Sequence, residues 1–199
     1  ADQDKDIIVA SEYMTVFKND GSENFTSTNL FSNGNINVYW VGVSDLNQDG
    51  TNDIIFSTMQ NGVVWWKNND NINFSYEIIS SESSYSFHIN DINKDGNIDV
   101  LSANYWDNSI YIYLNDGEEN FESSNLLISD NENNTLRYAI VSDLDNDNDN
   151  DIISVSDNKL SWWENAGNQN FTENFITIGG HSVPVSVDFD NDSDMDIIH

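Results

Sequence analysis

The chain has no cysteine and a single proline, and only 6 of its 199 residues are Lys or Arg. Without cysteine there is neither a disulfide framework nor a thiolate metal site. So few cations against 35 Asp and Glu leave a formal charge of −29. Binding to nucleic acid rests on Lys and Arg meeting phosphates, which excludes that partner class. An anionic membrane surface is disfavoured on the same ground. No run of 18 or more apolar residues exists, so no membrane insertion is expected. Helical periodicity is missing as well. No signal peptide is visible, and the chain opens on Ala1-Asp2-Gln3-Asp4, inside an acidic motif, so it reads as a trimmed product or a fragment. Cations and neutral polar ligands such as sugars are the partners this charge permits. Low hydrophobicity with high charge can mark disorder, but 6 Trp, 8 Tyr and 10 Phe argue for a packed domain.

What is present is a repeat. The run Asp143-Leu144-Asp145-Asn146-Asp147-Asn148-Asp149-Asn150-Asp151 packs acidic side chains so closely that they disfavour one another's ionisation, and a cation among them relieves this. The pattern D-x-D/N-x-D-x-x-x-D also occurs from Asp45 to Asp53, from Asp91 to Asp99 and from Asp188 to Asp196. Each copy is followed by an apolar pair: Ile54-Ile55, Val100-Leu101, Ile152-Ile153 and Ile197-Ile198. Asp2, Asp4 and Asp6 before Ile7-Ile8 match the second half of the motif. The last acidic positions, 6, 53, 99, 151 and 196, are spaced by 47, 46, 52 and 45 residues.

Two more signatures keep this phase. Aromatic-rich segments recur at Thr15–Phe17, Val64–Trp66, Tyr111–Tyr113 and Ser161–Trp163. Each leads to an Asn (Asn19, Asn68, Asn115, Asn165), then a polar turn, then Asn-Phe at 24–25, 73–74, 120–121 and 170–171. Short β-branched and aromatic runs bounded by Asn, Asp, Gly and Ser are strand signals. Asn61-Gly62 and Asp107-Asn108 read as hairpin turns. Four strands per repeat follow. The first precedes the acidic loop (38–43, 85–89, 137–141, 183–187) and the second follows it (7–10, 54–57, 100–103, 152–155). The third is aromatic and the fourth starts at Asn-Phe. Four antiparallel strands per 45 to 52 residues predict an all-β β-propeller of four-stranded blades. The chain holds about four blades' worth, as one propeller or propeller fragment over 1–199, with repeats at 1–44, 45–90, 91–142 and 143–187 and a partial one at 188–199. Val185 and Val187 fall one place out of phase with Val43, Ile89 and Val141, which predicts a bulge or a one-residue deletion there.

Oxygens at loop positions 1, 3 and 5, a backbone carbonyl at 7 and a carboxylate at 9 can wrap one Ca²⁺, and one ion per repeat points to a structural role. An EF-hand is ruled out: position 12 is Phe56, Ser102, Ser154 or His199, and the flanks are strands. Position 6 needs a sharp turn, which Gly50, Gly96 and Asn148 suit and Ser193 does not.

These motifs, with the N-D-G-x-x-N-F turn, resemble the FG-GAP/VCBS repeat family, integrin-α-like propellers with Ca²⁺ in the loop between the first two strands of each blade. The resemblance covers essentially the whole chain. It implies about four Ca²⁺ and four ligand sets: Asp45, Asn47, Asp49, Thr51 carbonyl and Asp53; Asp91, Asn93, Asp95, Asn97 carbonyl and Asp99; Asp143, Asp145, Asp147, Asp149 carbonyl and Asp151; Asp188, Asp190, Asp192, Asp194 carbonyl and Asp196. A fifth site at Asp2, Asp4 and Asp6 is incomplete in this chain. Family rings usually hold seven, sometimes eight, blades. Closure would then need more blades in cis or self-association through exposed edge strands.

Metals on one face send a ligand to the other, which carries Tyr13, Met59, Tyr105, Trp106, Asp107 and the links 33–37, 81–84, 131–135 and 179–182. Tyr13, Tyr105 and Trp106 are the candidate ligand-binding residues, with Tyr105-Trp106 able to stack on a sugar. His88, His181 and His199 occupy non-equivalent places and read as ordinary polar residues. No nucleophile–base pair stands out, so no enzyme is expected. The expectation is an extracellular, Ca²⁺-binding recognition or adhesion module for glycans or matrix or surface proteins. An accessory domain of a polysaccharide-degrading enzyme and a ligand-free scaffold are the alternatives.

Overall fold

A computed structural model describes residues 4–10, 13–32, 37–69, 73–126, 135–167, 169–178 and 180–199. Strands β1 (Ile7–Ala10), β2 (Tyr13–Asn19) and β3 (Phe25–Ser32) form a three-stranded sheet. Three four-stranded sheets follow. The second comprises β4 (Val38–Ser44), β5 (Asp53–Thr58), β6 (Gly62–Asn68) and β7 (Phe74–Ser80). The third comprises β8 (Ser86–Asn90), β9 (Asp99–Ala103), β10 (Ile110–Asn115) and β11 (Phe121–Leu126). The fourth comprises β12 (Leu136–Ser142), β13 (Asp151–Ser156), β14 (Lys159–Asn165) and β15 (Phe171–Thr177). Strands β16 (Val185–Val187) and β17 (Asp196–Ile198) form a final pair. Every pairing is antiparallel between chain neighbours, and no helix occurs among the described residues. The all-β class and the four-strand sheets therefore stand, while no sheet closes on itself into a barrel.

The apolar pair after each acidic loop explains how the sheets pack. Successive strand residues point to opposite faces, so the two members of a pair enter different cores. Ile54 packs with Met14 of the first sheet, whereas Ile55 packs with Phe87 and Val100 of the third. Val100 faces back toward Ile55 and Leu101 forward to Leu136 and Ile152. Ile152 joins that same core, and Ile153 turns toward Ile197 in the last pair. All six residues from Ile54 to Ile153 in this series are buried. Both faces of β5, β9 and β13 are thus covered, and the loop residues Leu46 and Ile92 seal the interfaces to the next sheet. The paired tryptophans belong here too: Trp65 is in the second-to-third core and Trp163 in the third-to-fourth, where its indole N–H donates to Ser154 Oγ at 2.9 Å.

One expectation is corrected. β16 pairs with β17 without a shift, Val185 with Ile198, Ser186 with Ile197 and Val187 with Asp196, so neither a bulge nor a deletion is present. Ser186 takes the place that Val141 holds in β12, and its hydroxyl lies 2.7 Å from Ser142 Oγ. The phase of the side chains changed; the ladder did not. Among the first strands of the sheets, register shifts lie instead at Tyr39 in β4 and Arg137 in β12, residues that the register passes over.

Candidate functional site

The acidic loops connect the first and second strands of each sheet. Within them the backbone is wound onto the carboxylates. The amide of position 6 donates to the position 1 carboxylate in all four loops: Gly50 to Asp45 and Gly96 to Asp91 at 2.9 Å, Asn148 to Asp143 at 3.1 Å, Ser193 to Asp188 at 3.2 Å. The amide of position 7 donates to position 5 in the same way, Thr51 to Asp49, Asn97 to Asp95, Asp149 to Asp147 and Asp194 to Asp192. Hydrogen bonds from Thr51 hold the Asp49 carboxyl below its ordinary value. Position 6 has a positive φ throughout, 87° at Gly50, 94° at Gly96, 71° at Asn148 and 76° at Ser193, so the serine adopts the strained conformer its neighbours suit better.

The ninth residue plays a part that spacing alone did not reveal. Asp151 is fully buried, and its two oxygens accept from Leu144 N at 3.0 Å and Asn165 N at 2.8 Å. Asp53 accepts from Leu46 N and Asn68 N, and Asp99 from Ile92 N and Asn115 N. Asp196 accepts from Phe189 N, and Asp6 from Asn19 N. This carboxylate therefore clamps the start of its loop to the end of the third strand. The phased Asn completes the clamp by donating its amide to the carbonyl before that Asp: Asn68 to Asn52, Asn115 to Ile98, Asn165 to Asn150. Burial pushes the carboxyls of Asp53 and Asp99 up. A carboxylate has about four lone-pair directions, so the clamp and a metal bond are compatible.

Two loops bring carboxylates together among the described residues. Ligand oxygens of Asp143, Asp145 and Asp147 lie within 4.8 Å of one another, as do those of Asp188, Asp190 and Asp196. Asp143 Oδ1 is buried and has no hydrogen-bond partner. An orphaned carboxylate oxygen is costly, and an all-oxygen donor set suits a hard cation. Desolvation, then repulsion from Asp151, Asp147 and Asp143, pushes the Asp145 carboxyl up despite an opposing hydrogen bond from Asp147. The loops at 45–53 and 91–99 carry Asn at position 3, and there Asn47 and Asn93 donate to Asp49 and Asp95. Asp2 lies outside the described residues, and Asp4 approaches the turn at Gly21.

The opposite face gathers aromatic residues. Asn104, whose Oδ1 accepts from Trp106 N, and Asp107, which accepts from Ser109 N, shape the loop between β9 and β10. Asn108 stands at φ 56° in that loop. This presents Trp106, 69% exposed, edge-on to Tyr105 at 5.3 Å between ring centres. Tyr105 stacks on Tyr85 at 5.7 Å. The bulged residues of the two flanking first strands converge on Tyr85: Tyr39 with ring centres 5.5 Å apart, and Arg137, whose guanidinium covers both Tyr85 and Tyr105. Bulges recur beside functional sites because they re-aim a side chain. Asp157 accepts from Arg137 Nε at 2.6 Å and lies 3.2 Å from His181 Nε2. Next to this cluster a cavity of about 300 Å³ is lined by Trp40, His88, Tyr138, Pro184 and Ser186, among others. Val141 N donates to His88 Nδ1 at 3.3 Å, leaving Nε2 as the protonated nitrogen of the neutral ring.

Of the expected ligand residues, Tyr105 and Trp106 are thus brought together, while Tyr13 stands on the first sheet, away from them. Met59 uses its carbonyl to accept from Ser83 Oγ. The links 33–36 and 131–134 and residue 179 lie outside the described residues. Tyr39, Tyr85, Arg137 and Tyr138 were missed as a group. Their signal was available: Tyr85 and Arg137 open two of the four expected first strands, and Tyr39 stands second in another.

Comparison with curated proteins finds no match in sequence. Among solved structures, the chain is similar to a lectin of Agrocybe aegerita described for specific recognition of non-reducing terminal N-acetylglucosamine. The TM-score is 0.59 at 23% identity, over 86% of this chain and 48% of the lectin chain, so this chain spans about half of that protein. At that identity the likeness speaks to the fold alone. The FG-GAP-like repeat model matches residues 91–142 and 143–199, more than half of the chain. On that match, and on the phased acidic corners it covers, the chain belongs to the FG-GAP-like repeat family.

Proposed function

We propose that this chain is a Ca²⁺-stabilised β-propeller module, or an arc of one, that recognises carbohydrate outside the cell and is not itself an enzyme. The observation that carries the binding reading is the exposed Trp106 beside the Tyr105–Tyr85–Arg137 cluster, on the face away from the acidic loops, with the adjoining cavity that runs along β8, β12 and β16. Exposed rings next to a mixed polar and apolar cavity suit the apolar face and hydroxyls of a sugar. The fold likeness to a lectin agrees with this. The propeller reading is supported by sheets that pack face to face in chain order through continuous cores.

Asp143, Asp145, Asp147, the Asp149 carbonyl and Asp151 would hold one ion, and the other loops would hold theirs through the equivalent residues. Bound there, Ca²⁺ neutralises carboxylates that otherwise repel. Millimolar extracellular Ca²⁺ suits such loops. The acidic residues then serve architecture, which is why they support no hydrolytic role here. β1 and β17 stand at the edges of their sheets, so self-association through them belongs to the same proposal. A glycan array probed with the protein, with and without chelator, and with Trp106→Ala, tests the reading. Binding that needs both Ca²⁺ and Trp106 is the expected result. Absence of binding to any glycan would sink the carbohydrate part and leave a scaffold or a protein-binding module.

A further inference from the structure

We propose that the fourth residue of each acidic loop is a positioning residue for the next loop, and that these contacts couple the loops into one cooperative cation-binding chain. The inference rests on the cation reading above. The same contact occurs at three successive junctions. Gln48 Nε2 donates to Gly96 O at 3.1 Å and to Asn97 Oδ1 at 2.9 Å. Lys94 Nζ donates to Asn148 O. Asn146 Nδ2 donates to Ser193 O at 3.2 Å and to Asp194 Oδ1 at 3.0 Å. In each case a donor at position 4 meets the position 6 carbonyl of the following loop, and twice also the position 7 side chain. The position 6 carbonyl shares a peptide plane with the amide of position 7. Holding it therefore orients the residue whose own carbonyl the cation reading makes a ligand.

The donors differ as residues but agree in conformation. Gln48, Lys94 and Asn146 have φ of 58°, 59° and 61°, and Asn191, a further amide donor, has 62°. A positive φ is uncommon for such residues and persists where the surroundings impose it. Here it throws the side chain out of its own loop and across to the neighbour. A reverse tie also exists: Asn150 Nδ2 donates to Asp91 O at 2.8 Å and Ile92 O at 3.2 Å. An ion that fixes positions 3 and 5 of one loop fixes position 4 between them. Position 4 then orders part of the next loop before its ion arrives, and ordering paid once lowers the cost of the second binding event. Lys94 adds a second effect, because it places a positive charge against the five-aspartate loop at 143–151. That charge competes with the incoming cation.

The test is calorimetric titration of the full chain with CaCl₂, with ions counted by native mass spectrometry. Wild-type protein is expected to show a Hill coefficient above one and few partly loaded species. Gln48→Ala and Asn146→Ala are expected to lower the coefficient and to weaken the following loop about three- to tenfold, the worth of one hydrogen bond. Both side chains are exposed, so these variants keep the fold, which far-UV circular dichroism at saturating Ca²⁺ verifies. Lys94→Gln keeps an amide donor of the kind Gln48 uses at the same position and removes the charge, so it is expected to tighten one site while cooperativity persists. Independent binding by the wild type, or an unchanged isotherm in Gln48→Ala, would overturn the coupling while leaving the cation reading intact. A wild-type chain that takes up no ion would overturn both.

Discussion

Arg137 places its guanidinium carbon 6.0 Å from the ring centre of Tyr85, and the contact exists because β12 bulges at Arg137. Packed also over Tyr105 and paired with Asp157, this cation ties β8, β12 and the β9–β10 loop together. Arg137→Met is expected to destabilise the fold by about 1–2 kcal/mol, the sum of a partly buried ion pair and a cation–π contact. Arg137→Lys should recover less than half, because an ammonium lacks the planar fork that stacks and pairs at once. Urea denaturation of the three proteins checks both expectations, and binding to any glycan found on the array should fall with Arg137→Met.

Metal removal separates two kinds of aspartate in one loop. If each ion binds only the folded chain, saturation at about 100-fold above Kd contributes about 2.7 kcal/mol per site, so chelator should lower the Tm substantially. Asp147→Asn should lower the Tm only when Ca²⁺ is present, with one ion fewer in the mass spectrum. Asp151→Asn should destabilise the fold in both conditions, by about 1–3 kcal/mol, because an amide N–H₂ would face a buried backbone N–H that now meets a carboxylate oxygen. A Tm unmoved by chelator would refute the metal assignment, and equal behaviour of the two variants would refute the division of roles.

Much of this was legible in sequence. The phase of the acidic loops, the aromatic strands and the following Asn gave the sheets, their order and the fold class, because each is a local pattern repeated in register. The reason for the phased Asn and for the ninth Asp was not legible, since Asn165 and Asp151 meet across a hairpin. Nor was the aromatic cluster. Tyr39 and Arg137 reach Tyr85 through bulges, and a bulge is a property of the pairing between strands rather than of either segment. The reading of β16 failed for the related reason that hydrophobic phase reports which face is buried, while the ladder follows the loop's length. Val185 is exposed there and β16 still keeps its register.

Protonation of His88 should cost stability. Burial holds its imidazole below the ordinary value of 6.5, and Nδ1 is committed as acceptor to Val141 N. The unfolded chain therefore takes up the proton first as pH falls. Stability is complete above about 6.5 and declines below it, toward the depressed folded value. The loss on breaking the bond to Val141 is about 0.5–1.5 kcal/mol. Among residues lining the cavity, Tyr138 is the other titratable one, and burial pushes it up, so it stays neutral in this range. Thermal melts between pH 7.5 and 5.5 at saturating Ca²⁺ should show the decline in wild type and a flat profile in His88→Asn, which keeps an acceptor without titrating. Identical slopes would assign the decline to other groups.

Two substitutions at positive φ should move stability in opposite directions. Gly62 has φ 63°, and a Cβ there would meet Ser80 O at 2.2 Å and Glu82 O at 2.4 Å, both backbone atoms that cannot swing aside. Gly62→Ala is therefore expected to destabilise by about 3 kcal/mol or more, combining backbone strain with displacement of the strand end at Ser80. Ser193, at φ 76°, bears a side chain where Gly50 and Gly96 have none. Ser193→Gly removes that strain but adds freedom to the unfolded chain, so the gain is about 0.5–1 kcal/mol. The loop at 188–196 is exposed and its ion site is the one with the unsuited residue, so the gain should be larger with Ca²⁺ than without. Differential scanning calorimetry of both variants, with and without chelator, decides this. A Ser193→Gly variant stabilised equally in both conditions would mean that the strain resides in the turn alone and has no bearing on the cation.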